Sequence, residues 1–220
     1  MSHRVLDGAI FIADAHYPNH SREFKNFLLD IKSKKINTPQ LFLMGDIFDL
    51  LVGQSSYLKE LFKEEIELID SIAKDIEVYY LEGNHDFNLS SIFKNVKVFS
   101  IDKQPLILDN ASLSHGDKYN TTFGYKLYTK IIRNPIILKL IPQIYAKYKL
   151  KKLSLKKICK KIENFETIVL DIKKYYPNNL IIEGHFHQGK IYKNYIALPS
   201  FACSREYAIF KNNIVEFKKY

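Results

Sequence analysis

Five short polar motifs, each placed just after an apolar run, constrain this chain more than any other feature. Asp14-Ala15-His16 follows Ala9 to Ala13, and Gly45-Asp46, with Asp49 three residues on, follows Leu41 to Met44. Gly83-Asn84-His85-Asp86 follows Val78 to Leu81, His115-Gly116-Asp117 follows Ala111 to Ser114, and Gly184-His185-Phe186-His187 follows Leu180 to Glu183. A short, wholly apolar run reads as a strand buried on both faces. Open α/β sheets collect ligand sites beyond the carboxyl ends of such strands. Glycines beside four of the motifs permit sharp turns, so side chains from separate strands can converge.

The residue types are those of a mixed oxygen and nitrogen metal site. Carboxylate, carboxamide and imidazole suit Mn, Fe, Co or Zn, and the absence of nearby thiols argues against a structural zinc. Taken singly, each motif has a bland explanation: Asp-x-His and Gly-Asp arise by chance, and a lone buried histidine usually serves the core. Together they hold five of the seven histidines. His185 and His187 would face opposite ways on a regular strand, but on a loop after Gly184 they can address two neighbouring ions. The remaining histidines, His3 and His20, read as surface residues, His20 being close in sequence to the first motif.

The layout is that of an α/β fold. Phe24, Phe27, Leu28 and Ile31 recur at helical spacing in a helix that Ser21 is expected to cap, running to about Lys34. Tyr57 to Lys74 is expected to form a second helix, on Leu58, Leu61, Phe62, Ile66, Ile69 and Ile72. Shorter, hairpin-like strands follow. Between the two halves, about Phe123 to Tyr176, helical periodicity is broken at Pro135 and Pro142, which marks a helical insertion within a single domain spanning 1–220.

Charge falls mainly on that insertion. Lys118 to Lys161 contains 13 Lys or Arg and no acid, leaving 20 basic against 24 acidic residues elsewhere. Such a segment suits an anionic partner, although a solvated lysine face has the same composition. Two distant cysteines, Cys159 and Cys203, argue against a disulfide and for a reducing compartment. With no signal-like segment near the start and no apolar run of membrane-spanning length, the expected location is cytoplasmic, with contact at the inner face of the membrane allowed.

At this point the chain resembles the calcineurin-like metallophosphoesterase superfamily, whose ordered blocks are D-x-H, G-D-x-x-D, G-N-H-D/E, H and G-H-x-H. All five occur between Asp14 and His187. The resemblance implies a four-layer β-sandwich flanked by helices, with a dinuclear centre at one edge. It implies that Asp14, His16 and His187 hold one divalent ion, that Asn84, His115 and His185 hold the other, and that Asp46 bridges them; Mn2+ is the expected metal. Two cations about 3.5–4 Å apart can bind phosphoryl oxygens and make water nucleophilic. His85 would then be the general acid, oriented by Asp86.

The insertion is similar to one branch, the UDP-2,3-diacylglucosamine pyrophosphate hydrolases of lipid A synthesis. There a His-Gly-Asp block leads into a tyrosine-containing helix ending near Arg-x-Pro, as with Tyr125, Tyr128, Arg133 and Pro135 here. That likeness implies a helical lid receiving acyl chains. Ile131, Ile132, Ile136, Ile137, Leu138, Leu140, Ile141 and Ile144 offer apolar surface for them and the lysines charge for headgroups, although a helical hairpin packing its apolar face on the sandwich has the same composition. The best-known members carry arginine where this chain has His85. Arg22 and Arg205 are further candidates for substrate phosphate or uridine. A broad phosphodiesterase or nucleotide phosphatase, a nuclease and a non-enzymatic metal-binding scaffold are the competing functions. Nucleic acid is disfavoured because the lysines alternate with aliphatic residues without a stacking pattern.

Overall fold

The computed structural model describes residues 3–118, 122–140, 143–177 and 179–220. In chain order the elements are β1 (Ile10–Ile12), α1 (Glu23–Lys32), β2 (Gln40–Leu43), β3 (Leu51–Val52), α2 (Ser56–Leu61), α3 (Lys63–Ile72), β4 (Glu77–Leu81) and β5 (Asp86–Phe87). Then follow β6 (Lys97–Phe99), β7 (Leu106–Ile107), β8 (Ala111–Ser114), α4 (Phe123–Ile132), α5 (Pro135–Leu140), α6 (Gln143–Ser154) and α7 (Phe165–Lys173). The chain closes with β9 (Leu180–Glu183), β10 (Lys190–Tyr192), β11 (Tyr195–Ala197), α8 (Phe201–Ser204), β12 (Glu206–Lys211) and β13 (Ile214–Lys219).

Two mixed sheets pack face to face, one ordered β13-β12-β1-β2-β4-β6 and the other β10-β11-β9-β8-β7. The central strands β1, β2, β4 and β6 run parallel, as do β8, β9 and β11. Strand alternation explains their uninterrupted apolar runs. Phe11, Phe42 and Tyr79 occupy matching positions on three adjacent strands and stack with ring centroids 4.7 Å apart at each step, facing the second sheet. Their neighbours Ile10, Ile12, Leu41, Leu43, Val78 and Tyr80 point the other way, against α1 and α3. On the far side Phe165, Val169 and Ile172 of α7 cover the second sheet. The layers are therefore helix, sheet, sheet, helix, the architecture expected.

Local details depart from the sequence expectations. Ser21 does not cap α1; its hydroxyl donates to the Ala15 carbonyl at 2.5 Å, and Arg22 takes the N-cap position without a side-chain cap. The helix expected from Tyr57 to Lys74 is two, α2 and α3, broken at Phe62 (φ −109°, ψ 21°), which is buried against Phe48 and Tyr17. Core packing of one aromatic ring outweighs helical continuity there.

Of the helices expected in the lid, α4, α5 and α6 lie on the α1–α3 side of the core, whereas α7 covers the second sheet. Ile132, Leu138, Ala146, Leu150 and Leu153 pack the lid against the α1–α3 side of the core. Asn88 Nδ2 donates to the Arg133 carbonyl at 2.9 Å, and Gln143 Nε2 donates to Ser56 Oγ at 3.0 Å. The expectation for the cysteines is overturned: Cys159, after α6, and Cys203, in α8, form a disulfide with Cα atoms 5.5 Å apart. Forty-four residues of sequence separation hid a pair that the fold brings together. No helix among the described residues is long and apolar enough to cross a membrane.

Candidate metal centre

Each motif lies where a strand of one sheet or the other runs out, and all five meet at one rim. Asp14 follows β1, Asp46 follows β2, Asn84 follows β4, His115 follows β8 and His185 follows β9. Three overlapping groups bring their ligand atoms within 4.8 Å of one another: Asp14, His16 and His187; His16, Asp46 and His85; Asp46, His115 and His185. All these residues except His187 and His185 are buried. The site is paid for in backbone strain at the ligands themselves. Asp14, His16, Asp46, His185 and His187 all have φ between 46° and 58°, a left-handed conformation uncommon outside glycine.

The glycines act in two ways. Gly45 (φ +82°) makes a turn that L residues rarely adopt, and a Cβ there would come within 2.3 Å of His115 Nδ1. Gly83 has no such torsion, but a Cβ would stand 2.3 Å from Asp46 Oδ1. Close approach of backbone to ligand is what that position requires.

Carbonyl acceptors set the histidine tautomers. Nδ1 of His115 donates to Met44 O at 2.8 Å, Nδ1 of His187 to Ile158 O at 2.9 Å, and Nδ1 of His85 to Asp49 O at 2.8 Å. A carbonyl cannot donate, so each ring carries its proton there and turns Nε2 inward. His115 Nε2 lies 3.6 Å from Asp46 Oδ1, and His187 Nε2 lies 3.0 Å from Asp14 Oδ1. Asp14 Oδ1, Asn84 Oδ1, His16 Nδ1 and His115 Nε2 are buried without a hydrogen-bond partner. Buried polar atoms are nearly always satisfied. Carboxylate, amide oxygen and imidazole nitrogen, buried and left without partners, are a donor set that fits divalent cations.

The electrostatics agree. Burial works to raise the pKa of both Asp14 and Asp46, but the surrounding imidazoles, His187 for Asp14 and His85 and His115 for Asp46, outweigh it and hold both carboxyls below the usual range. Reciprocally, burial acts to lower His115, yet Asp46, Asp117 and Asp14 lift it to about 9. His187 is likewise raised, against burial, by Asp14. His16, where burial dominates, falls to about 3, and His185 is lowered by burial and by His115. Two buried carboxylates that draw positive charge are also what attracts a metal ion.

Other expected residues fare differently. Asp86 does not touch the His85 ring. Its oxygens accept from the backbone N–H of Asp46 (3.0 Å), Ile47 (2.6 Å), Phe48 (3.3 Å) and Gly83 (2.9 Å) and from the Tyr80 hydroxyl (2.7 Å). It ties the β2 loop to the β4 loop, and the orienting of His85 falls to the Asp49 carbonyl. Burial and the Asp46 charge push Asp86 up to about 7, against those five donors. Arg133 reaches the site: Nη2 donates to Gly83 O at 2.9 Å and to Asp117 Oδ2 at 3.3 Å, while Nε and Nη1 are buried without a partner. Arg205 instead pairs with Glu23 at 3.0 Å and donates to the Phe201 carbonyl, and Arg22 is exposed beside α1. The side chains of Tyr125 and Tyr128, on α4, lie outside the described residues.

Three residues were missed. His20 is not a free surface histidine: Nδ1 lies 2.9 Å from Asp49 Oδ1 and Nε2 3.1 Å from the Lys156 carbonyl. Asp49 also accepts from Asn19 N and Nδ2 and lies 3.9 Å from His16 Nδ1. Gln104 accepts from His115 N at 2.7 Å while donating to the Glu82 and Phe99 carbonyls. Asp49 stood in the G-D-x-x-D block and His20 lay close to the first motif; nothing local in the sequence marks Gln104.

Residues 9–189 match the family model for calcineurin-like phosphoesterases. The chain belongs to the calcineurin-like phosphoesterase family. It is therefore a phosphoester hydrolase of a family whose members bind a dinuclear metal site. Among relatives of this family, a UDP-2,3-diacylglucosamine hydrolase from Hamiltonella defensa is 26% identical over 202 residues, covering 83% of this chain and 78% of its own length. A second protein of that name, from Histophilus somni, is 24% identical, with 84% and 86% covered. A dimetal phosphatase structure from Danio rerio aligns at a TM-score of 0.46 and 14% identity, over 98% of this chain and 96% of its own.

Proposed function

We propose that this phosphoesterase hydrolyses the pyrophosphate bond of UDP-2,3-diacylglucosamine, releasing UMP and 2,3-diacylglucosamine 1-phosphate. In this proposal Asp14, His16 and His187 hold one divalent ion, Asn84, His115 and His185 the other, and Asp46 lies between them. When bound, such a pair supplies Lewis acidity toward phosphoryl oxygens and water that is nucleophilic near neutral pH. Mn2+ suits the mixed oxygen and nitrogen donors, with Mg2+, Fe2+ and Zn2+ as alternatives.

The observation that carries the substrate is a cavity of about 640 Å3 between the lid and the core. Asn84, His85 and Arg133 are in its wall, which is otherwise mostly apolar, with Leu50, Val52, Leu58, Leu138, Ala146 and Leu153, but also holds Ser55, Thr129, Gln143, Lys149 and Lys156. A polar, cation-binding rim continuous with an apolar chamber suits a molecule that is phosphate at one end and acyl at the other. His85, its Nδ1 donating to Asp49 O, would act as the imidazolium, with the second proton on Nε2 passing to the departing oxygen. Arg133 has two nitrogens without a partner, Nε and Nη1, to offer a phosphate. The names of the relatives favour the same substrate.

The lid exterior supports contact with an anionic membrane surface from the cytoplasmic side. Ile136, Ile144 and Leu155 are 71%, 75% and 79% exposed among the lid lysines. A broad phosphodiesterase is the second reading, favoured by a histidine rather than an arginine at position 85. Assay of UDP-diacylglucosamine against bis-p-nitrophenyl phosphate and cyclic nucleotides separates the two. Release of UMP with strong dependence on acyl chains is expected; indifference to those chains would sink the substrate, and full activity after exhaustive chelation would sink the metals.

A further inference from the structure

We propose that the Cys159–Cys203 disulfide is a thiol-sensitive clamp that positions His187, so that its reduction weakens cation binding at the Asp14–His16–His187 half of the centre. The proposal rests on the metal assignment above and concerns how one half of that site is held.

The segment between α6 and α7 is a strap of irregular backbone that touches the centre repeatedly. The Lys156 carbonyl faces His20 Nε2 at 3.1 Å, and the Ile158 carbonyl accepts from His187 Nδ1 at 2.9 Å. Lys161 Nζ donates to the His187 and Gln188 carbonyls at 2.5 and 2.7 Å. Yet Lys156, Lys157, Cys159, Lys160 and Lys161 are all exposed, so little apolar burial holds this backbone in place. A covalent link at Cys159, one residue from the Ile158 carbonyl, supplies the constraint that packing does not.

The other end of the link is equally close to the site. Cys203 lies in α8, whose start grips the end of β1: Phe201 N donates to Ala13 O at 3.0 Å, and both Ser200 Oγ (2.9 Å) and Ala202 N (3.2 Å) donate to Asp14 O. The disulfide thus joins the backbone that fixes Asp14 to the backbone that orients His187. Those two side chains meet at 3.0 Å. Partners that hold a metal-binding histidine from behind typically tune affinity by about 10–100-fold.

Both cysteines are exposed and open to a dithiol. A thiolate of the reagent attacks one sulfur, the S–S bond breaks, and the other cysteine leaves as thiolate and takes up a proton. The second reagent thiol then displaces the mixed disulfide, so two electrons and two protons pass to the protein and the reagent ends as its own disulfide.

The test is calorimetric titration with Mn2+ of three samples: oxidised protein, protein reduced with dithiothreitol and desalted under nitrogen, and the Cys159→Ser/Cys203→Ser variant. Oxidised protein is expected to bind two ions. In the reduced protein and the variant, one Kd should rise about tenfold while the other stays within about twofold. Lysine-specific proteolysis should also cut the strap faster in both. Equal binding of two ions by all three samples overturns the clamp, as do two free thiols in the air-purified protein. Failure of the metal assignment looks different, because no sample then takes up Mn2+, and the clamp falls with it.

Discussion

His85 gives its Nδ1 proton to the backbone carbonyl of Asp49 at 2.8 Å, and not to the carboxylate of Asp86, the residue next to it. Asp86 is occupied by four backbone N–H groups and a tyrosine hydroxyl. The two residues should therefore respond differently to substitution. His85→Asn is expected to lower kcat at least about 100-fold for a poor leaving group and much less for p-nitrophenolate, with the thermal midpoint nearly unchanged. Asp86→Ala strands several buried donors, at about 1–3 kcal/mol each, and should lower the thermal midpoint sharply. Leaving-group dependence and calorimetry on both variants check this; a cold-stable Asp86→Ala enzyme defective only in turnover would contradict it.

Gly83→Ala would bring a methyl group against Asp46, whose carboxylate lies 2.3 Å from the Cβ position. Since Asp46 accepts from His85 N at 2.8 Å on the same oxygen, the carboxylate cannot yield without loosening the loop after β4. Mn2+ stoichiometry below two, with activity down more than about tenfold, is the expected outcome. Metal analysis after gel filtration measures it.

Gln104 ties β8 to the β4–β6 edge through a buried amide serving both His115 N and two carbonyls. Gln104→Leu leaves His115 N and the Glu82 carbonyl without that partner, while the Phe99 carbonyl keeps Glu82 N at 2.9 Å, and the loss expected is about 3 kcal/mol. Urea unfolding with chelator present in both proteins reads the fold alone and excludes stabilisation by metal.

Acid stability should report on Glu77, well away from the site. Burial acts to raise its pKa, but Gln40, Lys97 and Tyr79 draw it from the ordinary 4.5 down to about 2. A depressed carboxyl stabilises the fold fully above the unfolded value and loses that contribution as pH falls through the folded one. The gap in thermal midpoint between wild type and Glu77→Gln should thus be greatest above pH 5 and close toward pH 2. A gap that widens on acidification would reverse the sign.

Ala146 lies in the cavity wall with little exposure. Ala146→Phe narrows the chamber, so KM for the diacylated substrate should rise at least about fivefold relative to KM for bis-p-nitrophenyl phosphate. Parallel kinetics on the two esters decide it.

By itself, the sequence determined the chemistry and the layering. Asp14, His16, Asp46, Asn84, His115, His185 and His187 were legible because each follows a strand whose apolar run is set by local period, and motif order survives folding. An α/β layered fold was legible for the same reason, with α1 and the central strands read directly from spacing, whereas the sandwich came from the family resemblance. Only the tertiary structure decided what stands behind those residues. The Asp49 carbonyl on His85, Gln104 on His115, His20 against Lys156 and the Cys159–Cys203 link all join positions distant in sequence. A backbone carbonyl acceptor has no residue identity to read, and an isolated Gln, His or Cys has no local partner that would mark it. Such contacts exist only once strands from both sheets end at one rim.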